Sequence, residues 1–143
     1  MNAQLQKAIV QATRKFSASA ERVFDAWLDP NTAGKWLFAT PTGKMSKIKL
    51  DARVGGSYLI VENRDGSDVE HIGEYLEIDR PRRLVFTLKV PKYSQESTKV
   101  TVEIRALNSG CELTLTHEGV LPDYTARTTS GWNMILEHLA ASL

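Results

Sequence analysis

Between residues 43 and 118, apolar side chains recur at every second position in one short segment after another. From Tyr124 to Leu143 they recur instead at every third or fourth. A period of two marks a strand with one buried face, and a period near 3.6 marks an amphipathic helix. Six strand segments follow in succession. They are residues 43–51 with Met45, Ile48 and Leu50, then 57–62 with Tyr58 to Val61, then 69–79, and 83–90 with Leu84, Phe86, Leu88 and Val90 on one face. Val100, Val102 and Ile104 mark the fifth, and Leu113, Leu115 and His117 the sixth. The separators are turn formers: Gly55-Gly56, Asp65-Gly66, Arg80-Pro81-Arg82 and Asn108-Ser109-Gly110. Connections this short between successive strands make an antiparallel meander with one face to cover. The last segment supplies the cover, because Tyr124, Thr128, Trp132, Ile135, Leu136, Leu139 and Leu143 form a single helical stripe. Gly131 costs this helix about 1 kcal/mol relative to alanine. Close packing against the sheet and simple tolerance explain it equally well.

Upstream, Ala8 to Ser17 alternates as a first strand. Ser19 offers an N-cap to a short helix carrying Ala20, Val23, Phe24, Trp27 and Leu28, with Glu21 in its first turn. Asp29-Pro30 stops that helix, and Pro30 opens a second short one running to about Leu37. The order is strand, two short helices, six strands and one long helix. A strongly twisted sheet of about seven strands around a helix of about twenty residues does not pack evenly along its length. The expected consequence is an elongated apolar cavity between them.

A chain of 143 residues with 42% apolar and 24% charged residues suits one domain with one sizeable core, spanning residues 1–143. Eighteen basic against seventeen acidic residues leave a charge of +1, which argues against a nucleic-acid partner. The lone Cys111 excludes an intrachain disulfide and any cysteine-based metal site. No stretch approaches the ~18 apolar residues of a membrane span, so no membrane insertion is expected. Met1 to Val10 lacks the pattern of a secretory signal, and a cytoplasmic location is the expectation. Phosphate-cradling loops, nucleophile elbows and metal-binding helix motifs are missing, so no metal or cofactor is expected.

Two residues stand out as weak catalytic candidates. His117 shares a face with Leu113 and Leu115, which puts an imidazole beneath the helix, either as a pocket acid/base or as a histidine tied to water or backbone. Glu74 is the second. In the strand His71-Ile72-Gly73-Glu74-Tyr75, one parity buries Ile72, Glu74, Leu76 and Ile78, and a buried carboxylate there would have a raised pKa. The opposite parity, reached through a bulge, turns His71 and Tyr75 inward instead. Trp27 and Trp132 lie on apolar helix stripes. Arg82 and Arg83 beside Pro81 offer a site for an anionic head or an acidic partner, or simply a solvated turn.

The local phrases also resemble a known family. FSASAERVFDAWLDP, KWLFA, VGGSYLIVENRDGS, HIGEYLEIDRPRRLVFT, CELTLTHEG and GWNMILEHLAASL are similar to successive elements of bacterial homologues of the activator of the 90-kDa heat-shock protein ATPase. That family is a branch of the START-like superfamily. The resemblance runs from about Ala8 to Leu143 and implies the α+β helix-grip fold. It also implies a pocket whose mouth is flanked by the second short helix, which makes Trp36 and Phe38 candidate ligand contacts. Tyr75, Phe86, Leu88, Val102, Leu115, His117 and Trp132 are the candidate lining residues from strands and helix. Members of this superfamily differ in function. Binding of a hydrophobic or amphipathic small molecule is the leading expectation. A cyclase-, aromatase- or hydrolase-like enzyme, or a co-chaperone-like module with a protein partner, are the alternatives.

Overall fold

The computed structural model describes residues 7–143. Its first strand, β1 (Ala8–Phe16), is followed by α1 (Ala20–Ala26) and α2 (Pro30–Ala33). The remaining strands are β2 (Lys44–Leu50), β3 (Ser57–Arg64), β4 (Ser67–Asp79), β5 (Arg83–Leu88), β6 (Thr98–Ala106) and β7 (Cys111–Val120). A 3-10 turn at Pro122–Tyr124 leads into α3 (Thr125–Ser142). The sheet has the order β1-β7-β6-β5-β4-β3-β2, antiparallel throughout, so the first strand closes beside the last.

Local chemistry explains the helix ends. The Ser19 side chain accepts from the Arg22 amide at 3.2 Å and caps α1. Asp29 accepts from the Asn31 amide at 2.9 Å and caps α2, with Pro30 in its first turn. The second helix is shorter than its sequence suggests. It ends at Ala33 and the chain continues in turns to Phe38, whose φ of 59° breaks any helical continuation. Asp65 and Gly66, with φ of 53° and 85°, make the two-residue hairpin between β3 and β4.

Three bulges set which residues face the helix. One falls between Tyr75 and Glu77 where β4 meets β5. It decides the parity of β4: His71 and Tyr75 are buried, at 5% and 3% exposure, while Glu74 and Leu76 are exposed. Glu74 is therefore not a buried carboxylate. It sits on the outer face, opposite Ser57. Beyond the bulge Ile78 turns back to the core. A second bulge lies between Met45 and Lys47. The third, between Ala8 and Ile9 opposite Glu118 to Val120, coincides with Gly119 at φ 89°. It buries Val10 and Val120 and leaves Ile9 65% exposed. β4 pairs with β3 over residues 67–74 and with β5 over residues 75–79, and Ile72 also bridges Lys89. A side chain at Gly73 would collide with the Thr87 carbonyl, which also accepts from the Tyr58 hydroxyl at 2.6 Å.

α3 lies across the concave face and buries Trp132, Leu136 and Leu139. Trp27 and Trp36 meet edge to face with centroids 4.8 Å apart, and Trp27 also approaches Phe86 and Trp132. Each such side chain contributes on the order of 2–3 kcal/mol by leaving water. No side chain lies within 4 Å of the position a Cβ would take at Gly131, so this glycine serves no close packing.

Candidate functional site

The two halves of α3 differ in what they can bury. Residues 125–131 are Thr-Ala-Arg-Thr-Thr-Ser-Gly, with no large apolar side chain, whereas Trp132, Leu136 and Leu139 follow in the second half. Trp132, Leu136 and Leu139 join the packed core, and the space among the neighbouring Leu37, Phe38, Tyr58, Tyr75 and Phe86 is about 10 Å³. Under the first half a cavity of about 400 Å³ remains. Thr128 lines it, one turn before Trp132 on the same stripe. Leu88 at the end of β5 and Val90 just beyond it line the cavity, with Val120 at the end of β7 and Leu121 just beyond it, next to the Gly119 bulge. The rim carries Lys7, Arg64, Tyr93, Glu96, Tyr124 and Arg127.

His117 forms the wall between this cavity and the filled core. It is 7% exposed, and both ring nitrogens are occupied. The Trp132 indole N–H donates to Nδ1 at 3.0 Å. An indole nitrogen only donates, so Nδ1 is the acceptor, and in the neutral ring the proton sits on Nε2. Nε2–H then donates to the Thr98 hydroxyl at 2.7 Å, and that hydroxyl donates to the Leu88 carbonyl at 3.0 Å. Burial lowers the His117 pKa from 6.5 to about 4, which keeps the ring neutral at pH 7. A ring with its lone pair committed to an indole and its proton to a threonine has neither to offer a substrate.

A second polar cluster backs the rim. Glu62, 1% exposed, accepts from the Thr40 amide at 2.6 Å, from the Thr40 hydroxyl at 3.1 Å and from Arg64 Nε. Arg64 Nη2 donates to the Phe38 carbonyl at 3.3 Å. Phe38 stacks on His71 with centroids 4.3 Å apart. Burial first, and the Arg64 charge second, lower the His71 pKa to about 4. Among the described residues no group of three or more His, Cys, Asp or Glu could hold a metal.

Of the candidate lining residues, Leu88 and His117 reach the cavity. Trp36, Phe38, Tyr75, Phe86, Val102, Leu115 and Trp132 are buried in the packed core instead. Phe38 lies beside the filled region, and Trp36 borders a separate cleft of about 250 Å³ with Ser142 and Leu143, while the mouth of the larger cavity opens between the 89–97 loop and the start of α3. The arginines near Pro81 are already paired: Arg82 with Asp79, and Arg83 with Glu77 and Glu103. Reading the sequence by periodicity passes over Tyr93, Thr98, Arg64 and Arg127. Two signals do mark the region: the aperiodic stretch Pro91 to Ser97 and the lack of large apolar residues in the opening of the last helix.

Seven antiparallel strands gripping one long helix, with a half-open cavity at the helix's first half, define a helix-grip protein of the START-like class. The family model described as "Activator of Hsp90 ATPase homolog 1-like protein" matches residues 17–143. The chain belongs to this family. No curated protein matches it in sequence. Among solved structures it is similar to protein CV1439 from Chromobacterium violaceum at 28% identity, with a TM-score of 0.86 over 93% of this chain and 94% of that one. It is also similar to protein Mll3558 from Rhizobium loti, at 25% identity and TM-score 0.83 over 98% and 99% of the two chains. An AHSA1-like protein from Aeromonas hydrophila shares the fold at 19% identity, with a TM-score of 0.82 over 94% and 91%. Among the described residues no helix is long and apolar enough to cross a membrane.

Proposed function

We propose that this protein binds an amphipathic small molecule in the cavity beneath the first half of α3. The observation that carries this reading is the cavity itself. Its volume of about 400 Å³ lies in the range of small-molecule sites, and it joins apolar walls to a polar rim. The saturated hydrogen bonding of His117 and the exposure of Glu74 favour binding over acid/base catalysis. Ion pairs lace the outer face of the sheet, Arg83–Glu103 and Arg105–Glu112 among them, which makes it a poor apolar docking surface.

Thr128→Phe tests the assignment by filling the cavity from a half-buried position. Anilinonaphthalene sulfonate fluorescence should rise on titration into the wild-type protein and stay near the buffer value with the variant. Equal enhancement with both proteins would place the dye elsewhere and remove the basis for the proposal.

A further inference from the structure

The rim of the cavity carries unequal charge. Three cationic side chains, Lys7, Arg64 and Arg127, line it together with a single carboxylate, Glu96. Lys7 and Glu96 neutralise each other at 2.7 Å. The charge of Arg64 is matched by the buried Glu62 immediately behind it. Arg127 has no carboxylate within salt-bridge distance among the described residues, and its guanidinium stands 5.7 Å over the Tyr124 ring. An aromatic face attracts a cation without cancelling its charge. One positive charge at the mouth is therefore left without a counter-charge.

The inner end of the cavity has the opposite character. Leu88, Val90, Val120 and Leu121 are apolar, and His117 and Thr98 have their hydrogen-bonding groups engaged with Trp132, each other and the Leu88 carbonyl. A polar group pushed to this end would give up its hydration for groups already engaged in hydrogen bonds.

Resting on the binding function proposed above, we infer that the ligand is a monoanionic amphiphile, such as a medium-chain carboxylate. Its carboxylate pairs with Arg127 at the mouth, and its tail lies against the Leu88, Val120 and His117 wall. An arginine suits this role because its planar fork receives a carboxylate through two parallel hydrogen bonds. Arg127 is exposed and lies outside the hydrophobic core, so changing it alters the charge and its contact with the Tyr124 ring and leaves the core intact.

The test compares three probes with the same ten-carbon tail: decanoate, decanol and decyltrimethylammonium. Each is titrated by calorimetry at low ionic strength into the wild-type, Arg127→Gln, Arg127→Lys and Thr128→Phe proteins. The wild type should bind decanoate about tenfold tighter than decanol, and the ammonium most weakly, as expected for one added charge-assisted contact. Arg127→Gln should bring decanoate down to the level of decanol while leaving decanol unchanged. Arg127→Lys should retain part of the preference. Decanol binding as tightly as decanoate in the wild type would overturn the anionic assignment while leaving the cavity reading intact. An unchanged decanoate preference in Arg127→Gln would overturn the role of Arg127. If no probe binds the wild type, or if Thr128→Phe binds all of them normally, the cavity reading fails and this inference falls with it.

Discussion

Acid should loosen this fold through His117, and the size of the effect follows from its surroundings. The ring is 7% exposed, accepts the Trp132 indole N–H and donates to Thr98. Protonation would place a second N–H against the indole donor and a charge in a dry wall. Burial accordingly brings the pKa from 6.5 down to about 4. Between those values the unfolded chain holds a proton that the folded chain does not, so stability rises with pH across the window. The contribution is fully present above pH 6.5 and is lost as the pH falls to about 4. A shift from 6.5 to about 4 corresponds to roughly 3 kcal/mol. His71, lowered to about 4 by burial and then by the Arg64 charge, adds a loss of similar size in the same window.

His117→Phe separates the two histidines. At pH 7.5 it leaves the Trp132 N–H buried without an acceptor, which costs about 1–3 kcal/mol. It also removes one of the two titrating groups, so the variant should lose about half as much stability as the wild type on going to pH 4.5. The gap between the two proteins should shrink towards zero, or reverse, as the pH falls. Urea unfolding followed by tryptophan fluorescence at several pH values from 7.5 to 4.5 measures this directly. A gap that stays constant across the range would refute the reasoning. So would a His117 ring signal titrating near pH 6.5 by nuclear magnetic resonance.

Three further outcomes are expected. Glu62→Ala strands Arg64 and the Thr40 amide, and because Arg64 keeps 27% of its side chain in water the loss should be about 3 kcal/mol, at the lower end for a broken buried pair, read from the urea midpoint. Gly131→Ala meets no neighbouring atom and should raise stability by about 0.5–1 kcal/mol; a loss would mean that the space around this turn of α3 is occupied. Gly73→Ala drives a methyl group of β4 into the Thr87 carbonyl, and thermal unfolding should show a loss of about 1–3 kcal/mol or more.

How far the sequence could be read is clearest by comparing residues that share an element. In α3 the stripe Trp132, Leu136, Leu139 follows from helical periodicity, and the same residues are buried. Thr128 sits on that stripe too, but its significance is the space it leaves, and periodicity reports only the direction a side chain faces. In β7 the inward direction of His117 was legible from Leu113 and Leu115. That its two nitrogens are spent on Trp132 and Thr98 was not, because those partners arrive from a helix and another strand.

The element order, the cap at Ser19 and the Asp65-Gly66 hairpin were set by the sequence alone. Each depends on neighbours a few residues apart, and local backbone chemistry decides them. The tertiary structure decided the rest. A bulge at Tyr75 to Glu77 turned Glu74 out and His71 in, Glu62 found its partners across a loop and a strand, and the cavity opened at the end of α3 that has no large apolar side chain to offer. These outcomes depend on volumes and distances between elements far apart in the chain. A one-residue shift in register or one missing large side chain changes them without changing any local pattern.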